Sequence, residues 1–186
     1  DDWQNVNTTL DPGAEPNSFL ARDFDELVDS PILAGNTQSH DFSVDEQDYA
    51  LVLATPNPFW DGEKSTEDLA KIVAAQQAFW QENPFQKKYL FMNLFMGPFG
   101  GLEHDNSTVL MIDPLAMRDR KQYIRWLGLV SHEFFHAWNV RRMRPAALAN
   151  YDYGREMYTR ELWLAEGLSS YYDNLLLLRA GLISVA

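Results

Sequence analysis

Between Arg118 and Asn139, apolar side chains recur at helical spacing around almost the whole axis: Tyr123, Trp126, Leu127, Val130, Phe134, Phe135, Ala137 and Trp138. A helix that is apolar nearly all round has to be packed inside a protein, so whatever fold the chain adopts must wrap this segment. The same segment carries His132, Glu133 and His136, groups that are costly to bury unless paired or coordinated. Residues four apart on an α-helix are separated by about 40° around the axis and about 6 Å along it. The imidazoles of His132 and His136 can therefore meet at one point in front of one helical face. Zinc takes imidazole nitrogens at about 2 Å and keeps a position for water in catalytic sites. Glu133, beside the first imidazole, is placed to take a proton from that water. A satisfied core histidine pair is the competing explanation, and it leaves Glu133 without a reason.

A chain of 186 residues, 46% hydrophobic, can bury one sizeable core and is read as a single domain. It divides into a mixed strand and helix half, 1–115, and a helical metal-binding half, 116–186. With no cysteine, a disulfide framework or a thiolate metal site is excluded, and any metal must rest on carboxylates and on His40, His104, His132 or His136. The net charge of −12 is uneven: residues 1–82 hold 17 acids and three bases (Arg22, Lys64 and Lys71). That balance argues against a nucleic-acid partner. Purely apolar runs such as Leu175–Leu178 are far short of a membrane span. No signal peptide is read at Asp1-Asp2-Trp3-Gln4, which leaves the compartment open between cytoplasm and periplasm. Oligomeric state is equally open. The apolar, uncapped end Leu182–Ala186 reads as a cut from a longer protein.

Strands are expected at Gln47–Ala54, Lys88–Phe95 and Thr108–Ile112, rich in β-branched and aromatic residues. Asp23–Ser30 reads as a short acidic helix stopped by Pro31, without the Asp-x-Asp-x-Asp-Gly spacing of a calcium loop. Ser65-Thr66-Glu67-Asp68 resembles a helix start, followed by Leu69, Ile72, Val73, Gln76 and Phe79 on one face up to about Glu82. A last helix is expected from about Tyr158 to Ala180, with Gly181 as its C-cap.

Two imidazoles need a third protein ligand. One zincin solution sets a Gly three residues after the second His and a third His three further on; Asn139 and Arg142 occupy those positions, so it is excluded. Glu166 in the last helix is the alternative. Its neighbours Leu164, Ala165, Gly167 and Leu168 place it inside the protein, and Gly167, which costs the helix about 1 kcal/mol, would let helix and metal approach. Glu161 is the rival ligand, nearer the helix start.

The stretches His132-Glu133-Phe134-Phe135-His136-Ala137-Trp138-Asn139-Val140-Arg141-Arg142-Met143-Arg144-Pro145 and Leu162-Trp163-Leu164-Ala165-Glu166-Gly167-Leu168-Ser169-Ser170-Tyr171-Tyr172-Asp173 resemble the glycyl aminopeptidase family of zinc peptidases. The resemblance extends to Gly100-Gly101-Leu102-Glu103-His104 and to Asp25–Pro31. It implies an α+β, thermolysin-like catalytic domain holding one zinc ion, with a small twisted sheet, in a chain that continues into a preceding β-rich domain and a following PDZ domain. It also implies peptide substrates with small N-terminal residues. Gly100–His104 is similar to the Gly-x-Met-Glu-Asn motif of the related aminopeptidase N family, whose Glu holds the substrate's α-amine. Position for position, that role falls on Glu103, with His104 in place of Asn and without an assigned role. The paired glycines Gly100 and Gly101 would let a peptide backbone come close.

On this reading Glu133 is the general base. An oxyanion donor is sought among Tyr153, Tyr158, Tyr171 and Tyr172, with Tyr158 and Tyr172 foremost, or beyond Ala186. Related zinc peptidases place an Asp four residues after the Glu ligand to orient an imidazole. Ser170 stands there, so Asn139 and Asp173 are the candidates. Arg141, Arg142 and Arg144 could bind a substrate carboxylate, or neutralise the helix C-terminus and nearby acids. A zinc endopeptidase and a non-catalytic peptide-binding scaffold that retains the metal site are the alternatives.

Overall fold

The computed structural model describes residues 4–185; the readings of Asp1–Trp3 and of Ala186 fall outside them. Nine strands and four α-helices follow in order: β1 (Asn5–Asn7), β2 (Asp11–Pro12), β3 (Phe19–Leu20), α1 (Phe24–Asp29), β4 (Leu33–Gly35), β5 (Gln38–Val44), β6 (Gln47–Leu53), α2 (Gly62–Trp80), β7 (Tyr89–Leu94), β8 (Gly100–Glu103), β9 (Ser107–Met111), α3 (Arg120–Phe135) and α4 (Leu162–Arg179). The fold is α+β, with a five-stranded sheet in the order β5-β6-β7-β9-β8. The inner pairs β6·β7 and β7·β9 are parallel, and the outer pairs β5·β6 and β8·β9 are antiparallel. Helix α2 makes the crossover that a parallel pair requires. No helix among the described residues is long and apolar enough to cross a membrane.

Strand β6 is buried on both faces from Tyr49 to Leu53, as a central strand in a partly parallel sheet should be. One face, with Tyr49, Leu51, Leu53, Phe91 and Leu110, packs on α2 and α3 through Leu69, Ile72, Trp126, Leu127, Val130 and Phe134. The other face has a small cluster of Ala50, Val52, Leu90 and Met92, with Leu33 of β4 packed on it.

Buried polar clamps set helix α3 in place. Trp126 donates to Asn93 of β7 at 2.8 Å, and Tyr123 donates to Asp68 of α2 at 3.0 Å. The Gln76 amide reaches the Ser131 carbonyl at 2.7 Å. Ser131 in turn donates to the Asp173 carbonyl at 2.9 Å, joining α3 to α4. Such bonds gain little on balance when formed, but leaving one partner buried and unpaired costs about 1–3 kcal/mol. They therefore fix register more than they add stability.

Several expected boundaries shift. Helix α2 begins at Gly62, capped by the Asp61 side chain on Lys64 N–H. Ser65 and Thr66, expected at its start, lie inside it and bond back to the Asp61 and Gly62 carbonyls. Helix α3 starts at Arg120 because Asp119 accepts from the N–H groups of Lys121 and Gln122, and its C-cap is His136. Helix α4 starts at Leu162, four residues after Tyr158. Gly181, at φ 71°, ends it: its N–H meets the Leu178 carbonyl and that of Leu182 meets Leu177, the paired bonds of a Schellman motif. Strands β5 and β8 and the short β1–β4 lie outside the strands expected from sequence.

Candidate metal centre

Because His136 caps α3, its ring is set by the turn that follows as much as by the helix. Its Nδ1 lies 2.9 Å from the Asn139 carbonyl. A carbonyl only accepts, so Nδ1 carries the proton and Nε2 is left with its lone pair. Ser169 Oγ stands 3.2 Å from the same Nδ1. The other ring follows the same logic: His132 Nδ1 lies 3.4 Å from an Asp173 carboxylate oxygen. The two Nε2 atoms face each other at 3.1 Å. A Glu166 oxygen lies 3.2 Å from the first and 3.6 Å from the second.

Three electron-rich atoms thus converge with their protons turned outward, an arrangement that calls for a cation. Its size can be tested. Four ligands at about 2.0–2.1 Å from a tetrahedral zinc lie about 3.3 Å from one another, and the observed 3.1, 3.2 and 3.6 Å bracket that value. The donor set fits the ion.

Two clamps hold Glu166 over the rings. Asn139 Nδ2 donates to the Ala165 carbonyl at 2.8 Å and approaches Ser169 Oγ at 3.2 Å, one turn from the Ser131–Asp173 bond. The expected enclosure of Glu166 is corrected. Its side chain is 52% exposed, against 2% for His136, because Leu162, Trp163, Leu164 and Leu168 are themselves exposed on that part of α4. Gly167 has nothing within 4 Å of where a Cβ would stand, so close approach does not explain it. Glu161, the rival, sits at the exposed N-cap and pairs with Thr159.

Strand β8 forms the opposite wall. Alternate residues of a strand share a face, and Gly101 and Glu103 both turn toward α3. A Cβ on Gly101 would fall 2.5 Å from Glu133 Cγ and 2.6 Å from its carboxyl carbon; this glycine makes room for Glu133 rather than for a peptide. Gly100 has no neighbour within 4 Å of its Cβ position. Glu103, Glu133 and His136 each bring an oxygen or nitrogen within 4.8 Å of the others. Burial pushes the Glu133 carboxyl up to about 7; His132 opposes the rise, and Glu103 and Glu166 add to it. Burial would lower the His132 pKa, but contacts with Asp173, Glu133 and Glu166 outweigh it and raise it.

His104, left without a role by sequence, anchors the end of β8. Its Nδ1 lies 3.3 Å from Asp29, which also accepts from Asp105 N–H at 2.8 Å and from Arg141 at 2.7 Å. Arg142 donates to the Ala137 carbonyl at 2.9 Å, so Arg141 and Arg142 are occupied by acids and the helix end. The four candidate tyrosines each have contacts of their own. Tyr158 is 77% exposed and bonded to Glu156, Tyr172 is stacked on Phe135 and beside Phe79, and Tyr153 donates to Asp25. Tyr171 is exposed and packs against Tyr172. Ser169 escaped the sequence reading; its place one turn after Glu166, facing the Asn139 clamp, is the signal that could have found it.

Residues 125–186 match the model of the M61 glycyl aminopeptidase family. The whole chain is similar to the crystal structure of an aminopeptidase N family protein from Idiomarina loihiensis, with a TM-score of 0.88 at 35% identity over 96% of this chain. The chain spans 32% of the length of that structure. No curated protein matches it. The segment matched to the M61 family contains every donor of the centre and both of its clamps, Ser131 with Asp173 and Asn139 with Ala165 and Ser169, whereas Glu103 comes from the sheet outside it.

Proposed function

We propose that this chain is the thermolysin-like catalytic portion of a zinc aminopeptidase that removes small N-terminal residues from peptides. The observation that carries the reading is the convergence of His132 Nε2, His136 Nε2 and Glu166 Oε2 within 3.6 Å, with two further carboxylates, Glu133 and Glu103, ranged along the same side. His132, His136 and Glu166 would hold one zinc ion, which when bound supplies Lewis-acid polarisation of a carbonyl and acidifies water. Asp173 and the Asn139 carbonyl keep both imidazoles in the tautomer that presents Nε2, as outer partners do in such sites. Glu133 takes a proton from water and passes it to the leaving amine, work worth about 10²- to 10⁴-fold. A carboxyl whose pKa lies near 7 is matched to both halves of that transfer.

Glu103 binds the substrate's α-ammonium. A charge-assisted hydrogen bond of about 1.5–3 kcal/mol corresponds to a preference of about 10- to 150-fold for a free over a blocked N-terminus. Hydrolysis of free and N-acetylated alanyl peptides by the full-length protein tests this. The free peptide should be favoured by that factor and Glu103→Ala should abolish the difference. Equal rates on both in the wild type reject the aminopeptidase reading.

One observation favours an endopeptidase instead. A cavity of about 560 Å³ continues past Glu103, lined also by Asp29, His104 and Tyr151, with room for residues before the scissile one. Faster cleavage of the acetylated peptide would support it.

Gly101→Ala gives a steric check. The added methyl displaces the Glu133 carboxyl, and a shift near 1 Å can cost about 10²-fold. The expected result is a kcat about 100-fold lower with zinc content unchanged; a normal kcat would mean that Glu133 need not stand where it does.

A further inference from the structure

Strand β8 and helix α3 run side by side, and three close approaches give their order. The Arg125 guanidinium carbon lies 3.8 Å from the centroid of the Phe99 ring, just before β8. Glu133 packs on Gly101, and His136 lies near Glu103. Arg125 and Glu103 therefore lie toward opposite ends of the β8–α3 pair, with Glu133 between them.

The Arg125 end is open. A cavity of about 500 Å³ is lined by Phe99, Arg125, Gly128, His132, Glu133 and Asn174, among others. Gly128 leaves its floor bare, with nothing within 4 Å of its Cβ position. Seven residues separate Arg125 from His132, two turns of one helical face and about 10 Å along the axis. Arg125 is exposed, and stacking on Phe99 restricts its planar fork. Among the described residues it makes no ion pair with an acid, in contrast to Arg141 and its two.

We propose that Arg125 determines specificity by binding the terminal carboxylate of short peptides. The inference rests on the reading that Glu103 holds the α-amine. With the amine at Glu103, the leaving portion must run the other way along the β8–α3 pair, into the cavity that Arg125 closes. An extended peptide advances about 3.3 Å per residue, so about 10 Å is spanned by two or three residues beyond the scissile bond. A planar guanidinium suits a carboxylate, to which it can donate two parallel bonds. The substrates favoured at this end are tri- and tetrapeptides with a free C-terminus.

Binding can be measured without turnover on the zinc-loaded full-length protein carrying Glu133→Gln, by calorimetry with tetra-alanine and its C-terminal amide. The free acid should bind about tenfold or more tighter than the amide. Adding Arg125→Met should bring the acid's affinity down to that of the amide, and Arg125→Lys, which keeps the charge without the fork, should lie between. A preference for the acid that persists in Arg125→Met, or no preference in the parent, overturns the inference alone. If neither peptide binds, the peptide-cleft reading falls and this inference with it.

Discussion

Glu133→Gln is expected to lower peptide hydrolysis by about 10²- to 10⁴-fold while the protein keeps one zinc per chain. The exchange preserves shape and removes only the basic oxygen, so a site that serves merely to hold an ion would be indifferent to it. Metal analysis beside steady-state kinetics on a free alanyl peptide makes the comparison; full turnover with full zinc would remove Glu133 from the chemistry.

The same substitution has a second signature, in metal-free protein. Burial raises the Glu133 pKa to about 7, whereas an unfolded Glu titrates near about 4.3. The folded state then binds its proton more tightly than the unfolded state does, and stability falls as pH rises between those two values. Above pH 7 the loss is complete and of the order of 3 kcal/mol. Glu133→Gln has no such proton to lose, so the metal-free variant should be the more stable at pH 8 and not at pH 4. Urea titrations at the two pH values would show it, and parallel stability curves for both proteins would count against a strained carboxyl.

The second large effect concerns the metal. Removing a donor with His136→Ala or Glu166→Ala should weaken zinc binding by more than the roughly 10- to 100-fold typical of losing an outer partner, the loss expected for Asp173→Ala. Competition against a fluorescent zinc indicator separates the two classes. The ranking matters more than the absolute values: if Glu166→Ala weakens binding no more than Asp173→Ala, the carboxylate is not a ligand. Affinity should also fall with acidity in the wild type, since His132 is already biased toward its protonated form and protons compete for the nitrogens that bind metal.

What the sequence disclosed follows from how each residue is packed. Helix α3 was readable because its apolar residues repeat at helical spacing and Trp126, Leu127, Val130 and Phe134 are fully buried. The ends of that helix were not, since the Asp119 side chain caps the start and the backbone of His136 the finish, and apolar spacing encodes neither. Strand β5 was hidden by its composition: Gln38-Ser39-His40-Asp41-Phe42-Ser43-Val44 lies at a sheet edge with no residue fully buried, and its alternation rests on only two apolar residues, Phe42 and Val44. Strand β8 was hidden by its two glycines, which disfavour strands, yet Gly101 is there because Glu133 leaves no room for a side chain. For Glu166 the apolar neighbours imply an enclosure that the structure does not have: Trp163 is 74% exposed, and the clamp through Asn139 holds the carboxylate in position.

That unevenness of cover among the three donors gives the centre a front and a back. The second imidazole is walled in by the end of its own helix and by Ser169, whereas the carboxylate stands half in solvent. On the proposed reading, an ion or a chelator coming from the α4 side would meet the carboxylate before the buried His136 ring.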